Sequence, residues 1–107
     1  MTPENVNAVI DTVKGTVLPS ERIAMFNKAC AIDPHDTVVI EELSELIKAV
    51  SKINRCHNNK HLKSLMEEIA DVRIVIKRIM CKYNIKEDDI DKLVVFKINR
   101  FIDQYGI

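Results

Sequence analysis

The chain has no tryptophan, two glycines, three prolines and only five aromatic residues among its 107. So few glycines and prolines leave few turns, which favours a handful of long helices over many short strands. No run of about 18 apolar residues occurs, so no segment is expected to span a membrane. Three cysteines, Cys30, Cys56 and Cys81, are an odd number at wide spacing with no CxxC pair. A disulfide scaffold is therefore not expected, and a reducing, cytoplasmic setting is. The N-terminal MTPENVNAVIDTV is too polar for a secretory signal. Charge of one sign is lacking too, with 16 basic residues against 16 acidic. That argues against a polymeric nucleic acid as partner, because phosphate-neutralising domains are usually clearly basic. A small phosphorylated ligand needs only a few local cations and remains open.

What is present is a well-populated hydrophobic fraction, 47%, with 30% charged residues. That is a globular composition, and the length suits one domain over residues 1–107. Thr2-Pro3-Glu4 reads as a helix start, followed by Val6, Val9, Ile10 and Val13 at helical spacing. A break at 15–19 precedes a second helix, capped by Ser20, with Ile23, Ala24 and Phe26 expected inward and an end near Ile32. Asp33-Pro34-His35-Asp36 marks a turn and a new start. The run after it carries an apolar stripe, Ile40, Leu43, Ile47, Val50 and Ile53 or Asn54, expected to face the core. Asn58-Asn59 suggests a turn. The following helix, from about Leu62 to Tyr83, is apolar nearly all round, so it is expected to be central or shared with a partner subunit. Asn84 suits its end. Glu87, Asp88, Asp89 and Asp91 suit the first turn of a last helix, for which Gly106 is the stop. The expected fold is all-α, a four- to five-helix bundle.

Two similar acidic patterns lie on consecutive predicted helices. One is Glu41-Glu42-Leu43-Ser44-Glu45 and the other Glu67-Glu68-Ile69-Ala70-Asp71. Residues at i and i+3 share a helix face, so each pair can present two carboxylates to one point. A single such pair is common on solvated helix faces. Two matched pairs on neighbouring helices bring four carboxylates round one cavity, and Glu68 and Asp71 sit in the most apolar helix. Ionised acids there are costly without a cation. Hard oxygen ligands select Mg²⁺, Mn²⁺ or Ca²⁺ over Zn²⁺, and Mg²⁺ accepts substrate phosphates as further ligands.

EELSELIKAV followed by EEIADVRIVI resembles the MazG-like all-α nucleoside triphosphate pyrophosphohydrolases. Glu42-x-x-Glu45 and Glu68-x-x-Asp71, with 22 residues between the pairs, are similar to the ExxE and ExxD halves of that family's signature. The resemblance covers roughly residues 36–101. It implies Mg²⁺-dependent hydrolysis (Mn²⁺ as a substitute) of nucleoside or deoxynucleoside triphosphates to monophosphate and pyrophosphate, as house-cleaning of the nucleotide pool. It implies Glu42, Glu45, Glu68 and Asp71 as metal ligands, and Glu41 as a further acid of the catalytic group without an assigned role. It also implies late basic residues on the phosphates, here Lys97 and Arg100 with Asn99 between them. Lys97 interrupts the stripe Ile90, Val94, Phe101 and Gln104 or Tyr105, which is expected to direct it toward the core or a cleft edge. Lys48, one turn after Glu45, is either a phosphate contact or a partner for Glu45. The central helix leads us to expect a homo-oligomer, dimer or tetramer, completing the bundle.

Other readings belong to other classes. A helical dimerisation or adaptor module with merely solvated acids predicts no metal dependence. Cys56, His57 and His61 lack the ligand count and spacing of a zinc site. The Glu-x-x-His pairs of di-iron bundles are missing. Phe26, Phe96 and Tyr83 are the aromatic candidates for a nucleobase and are expected rather in the core, as are the thiols of Cys30 and Cys81.

Overall fold

The computed structural model describes residues 3–10, 19–30 and 36–106. They form α1 (Pro3–Ile10), α2 (Ser20–Cys30), α3 (Asp36–Arg55), α4 (Asn59–Lys82) and α5 (Glu87–Tyr105), and no strand occurs among them. The all-helical expectation holds. Thr2, Val13, the break at 15–18, Ile32 and the turn at 33–35 lie outside the described residues. No described helix is long and apolar enough to cross a membrane.

Helix ends follow local chemistry. Asn58 is more than a turn residue: in extended backbone, it caps α4 by accepting the His61 amide at 2.8 Å. Asn84 closes that helix with a positive φ of 54°. Asparagine tolerates this left-handed conformation better than most residues. The first turn of α5 carries Glu87, Asp88 and Asp89 at the positive end of its dipole. Gly106, at φ 67°, takes the left-handed cap that ends α5.

The connection 56–58 folds α4 back along α3, and these two helices form the main packed pair. Helices α1 and α2 also pack on α4, which is thus central, as its apolar circumference predicts. Four of the buried residues belong to α4: Leu62, Val72, Val75 and Met80. Val9, Cys30 and Ala49 meet them from α1, α2 and α3. Ala49 is small enough to let the α3 and α4 backbones approach.

Two expectations about facing are overturned. In α3 the face carrying Val38, Glu42, Leu46, Ala49 and Ile53 is covered, and the Ile40–Leu43–Ile47–Val50 stripe lies open, with Ile47 70% exposed. Packing on α4 selects the face with small Ala49 and with the acids, and no other described helix packs on the bulkier stripe. Likewise Ile23 and Ala24 are exposed on α2, which is anchored by half-buried Phe26, as expected, and by buried Cys30.

Helix α5 differs from the rest. No Cα of it comes within 8 Å of another described helix, and none of its residues is buried. The packed bundle is therefore α1–α4, with α5 standing clear of it.

Candidate metal and phosphate site

Glu42 sits on the covered face of α3, and Glu68 and Asp71 lie one turn apart on α4. The α3–α4 packing brings carboxylate oxygens of all three within 4.8 Å of one another. No other group of three or more potential ligands converges in this way among the described residues. Glu68 and Glu42 are half-buried, whereas Asp71 is exposed at the mouth.

Glu68 carries the most unusual environment. Its Oε2 is shielded from solvent and has no hydrogen-bond partner among the described residues. Burial pushes the Glu68 carboxyl above the ordinary glutamate range, and the neighbouring charges of Asp71, Glu42, Glu45 and Glu67 push it further. All four charges named are acidic. An orphaned buried oxygen among like charges is costly unless a cation or proton compensates it. Three carboxylate donors this close together could hold a metal ion.

The other predicted residues are placed differently. Glu45 lies near enough to act on Glu68 but points a carboxylate oxygen at the Lys48 ammonium, 3.3 Å away. Lys48 is thus the i, i+3 partner of Glu45, in an exposed pair of the kind worth at most about 1 kcal/mol. Glu41 and Glu67 are exposed beside the cluster. Lys97, Asn99 and Arg100 are exposed on α5 and are not brought to the acids within one chain. Lys97 borders a shallow hollow with Val94, Ile98 and Phe101 and does not enter the core.

Sequence reasoning missed Arg78. It lines a cavity of about 200 Å³ together with Glu42, Asp71, Val38, Ile74 and Val75. Its signal was available: Arg78 follows Asp71 by seven residues, two helical turns on one face. A second cleft, of about 530 Å³, lies between α2 and α4, lined by Arg22, Met25, Phe26, Ala29 and Ile74. Ile74 borders both spaces, so the apolar cleft adjoins the acidic cavity. The Lys77 ammonium sits 5.2 Å from the centre of the Phe26 ring. Phe96 and Tyr83, expected in the core, are about 62% and 63% exposed.

The Cys56–His61 segment makes no metal cluster. The His61 ring Nδ1 lies 2.6 Å from the Cys56 carbonyl oxygen, which ties the turn together, and His57 lies outside any helix. Cys30 is buried as expected but Cys81 is exposed. Burial raises the Cys30 thiol above its ordinary range, aided by a hydrogen bond and charge from Cys81.

Comparison of the chain with protein-family models, with characterised proteins and with solved structures finds no match.

Proposed function

We propose that the chain is a Mg²⁺-dependent phosphohydrolase of the MazG-like type, cleaving nucleoside or deoxynucleoside triphosphates to the monophosphate and pyrophosphate in the cytoplasm. The observation that carries this reading is the meeting of Glu42, Glu68 and Asp71 round the unpartnered Glu68 oxygen. Those three residues hold the metal, with Glu45 the outermost member of the set. When bound, a divalent ion neutralises phosphate charge and lowers the pKa of a coordinated water. Arg78, which lines the same cavity as Glu42 and Asp71, is the proposed contact of a phosphate oxygen. The adjoining cleft, lined by Phe26 and Arg22, is the proposed subsite of the nucleobase. Lys97 and Arg100 remain the proposed contacts of the distal phosphates, with Asn99 between them, and Lys48, engaged by Glu45, is the less favoured contact.

The test is a pyrophosphate-release panel over the ribo- and deoxyribonucleoside triphosphates, with Mg²⁺, with Mn²⁺ and with EDTA. Activity that needs the metal and falls at least about 100-fold in Glu42→Gln and Asp71→Asn supports the reading. Survival of every triphosphate, or variants as active as the parent, refutes it in favour of a helical interaction module.

A further inference from the structure

We propose that Cys30 and Cys81 form a redox-modification site, at which a hydroperoxide converts the two thiols to a disulfide that pins the end of α2 to the end of α4.

The fold brings the two thiols together from distant parts of the sequence. Cys30 is the last residue of α2, and Cys81 lies in the last turn of α4. Helix α2 packs on α4, and the Cys81 side chain is within hydrogen-bonding reach of the Cys30 thiol. Sulfurs in such contact lie roughly 2 Å beyond bonding distance, a gap that small side-chain rotations close. Cys56 provides the contrast. It precedes α4, whose 24 residues extend about 36 Å at the usual rise. A disulfide needs its Cα atoms within about 7 Å. Cys56 therefore reaches neither Cys81 nor Cys30, which meet at the far end of that helix.

The two members are unequally placed, and this divides the chemistry between them. Cys81 is exposed, whereas Cys30 is 1% exposed. An oxidant in solution meets Cys81, and Cys30 is shielded from it. Burial raises the Cys30 thiol, and the positive charges of Lys77 and Arg78 act in the opposite sense. Cations beside a thiol favour the thiolate, which is the attacking form. Both cations precede Cys81 by about one turn of α4.

The reaction runs in two steps. The Cys81 sulfur, as thiolate, attacks one oxygen of the hydroperoxide. An S–O bond forms, the O–O bond breaks, and the departing oxygen takes up the proton that the thiol gave away. Cys81 is then a sulfenic acid. The Cys30 sulfur next attacks the Cys81 sulfur. The S–S bond forms, the S–O bond breaks, and hydroxide leaves with the Cys30 proton as water. The two thiols lose two electrons, and the peroxide gains them. A dithiol reductant reverses the bond by exchange.

The bond closes a loop of about 50 residues, which restricts the unfolded chain more than the folded one. It also holds α2 beside the apolar cleft, since Ala29, the neighbour of Cys30, lines that cleft with Phe26 and Arg22. The site stands on its own geometry and does not rest on the phosphohydrolase reading.

Thiol labelling and intact mass test it, with Cys56→Ser in the full chain to remove the third thiol. In the reduced, folded protein iodoacetamide is expected to label Cys81 and to spare Cys30. After hydrogen peroxide, labelling in denaturant is expected to find no thiol, on a chain lighter by two hydrogen atoms. Peptide mapping is expected to give the Cys30 and Cys81 peptides joined, and dithiothreitol to restore both labels. The oxidised chain is expected to melt several degrees above the reduced one. Cys81→Ser, at an exposed position, is expected to fold, to keep Cys30 reduced in peroxide and to show no such rise in Tm. Two thiols surviving peroxide, Cys81 carried on to the sulfinic acid without a cross-link, or a bond formed only between chains overturns the proposal. So does a cross-link that appears only with loss of the folded circular-dichroism signal.

Discussion

Glu42 and Glu68 face each other across the α3–α4 seam with carboxylate oxygens within 4.8 Å, and one Glu68 oxygen is both buried and unpartnered. Two helices held together by apolar packing thus bring like charges to one point of their contact. That is a local conflict of the kind found at functional sites, where a stabilising ligand resolves it.

The conflict gives the metal-free protein a characteristic pH response. The folded Glu68 carboxyl titrates above its unfolded value, because burial and the neighbouring acids disfavour its charge. Its contribution to stability is therefore complete below the unfolded pKa, about 4.3, and is lost as pH rises through the folded value. In EDTA, Glu68→Gln is expected to melt above the parent at neutral pH, with the gap closing as pH falls toward about 4. Mg²⁺ is expected to raise the parent's Tm and to leave that of Glu68→Gln nearly unmoved. Parallel melting curves at all pH values would remove this account.

Arg78 and Phe26 are expected to separate tail from base. Arg78→Ala is expected to lower kcat/KM about 10- to 100-fold for every triphosphate alike, as loss of a charged phosphate contact does. Phe26→Ala is expected to raise KM unequally among bases while kcat changes little. Steady-state kinetics on four triphosphates distinguish the two patterns, and equal effects from both variants would argue against a divided site.

The core along α4 sets the stability of the bundle. Leu62 is 2% exposed, and Leu62→Ala is expected to destabilise by about 2–5 kcal/mol. Ala49→Leu, which overfills the α3–α4 seam, is expected to cost about 1–3 kcal/mol and to disturb Mg²⁺ binding as well, because it moves Glu42 relative to Glu68. Urea denaturation and calcium-free Mg²⁺ titration measure the two effects.

The cap of α4 is expected to act locally. Asn58→Ala removes the acceptor of the His61 amide and should cost about 0.5–2 kcal/mol. Asn58→Asp, which keeps the acceptor, should cost little. An equal loss from both would mean the side chain acts in some other way.

Much of the fold was legible in the residues. Pro3, Asn58, the acids at 87–89, Asn84 and Gly106 mark helix ends through chemistry that acts within one turn of chain, whereas at α2 it is the Pro19 carbonyl, not Ser20, that takes the first helical bonds. The centrality of α4 followed from its apolar circumference, and the two acidic patterns pointed to Glu42, Glu68 and Asp71 because spacing alone places each pair on one face. What a helix face meets is another matter. Periodicity identified the Ile40–Val50 stripe but not whether α4 or something else covers it, since α3 has two apolar faces and packing admits one. It took the tertiary structure to turn the face with Ala49 and Glu42 inward, to add Arg78 to the acids, to set the cleft beside Phe26 against them, and to hold Lys97 and Arg100 away on α5. Local sequence determines where helices start, stop and carry their charges, because those interactions span three or four residues. Which faces meet is decided by the fit of whole surfaces against one another, a property no single stretch of this chain contains.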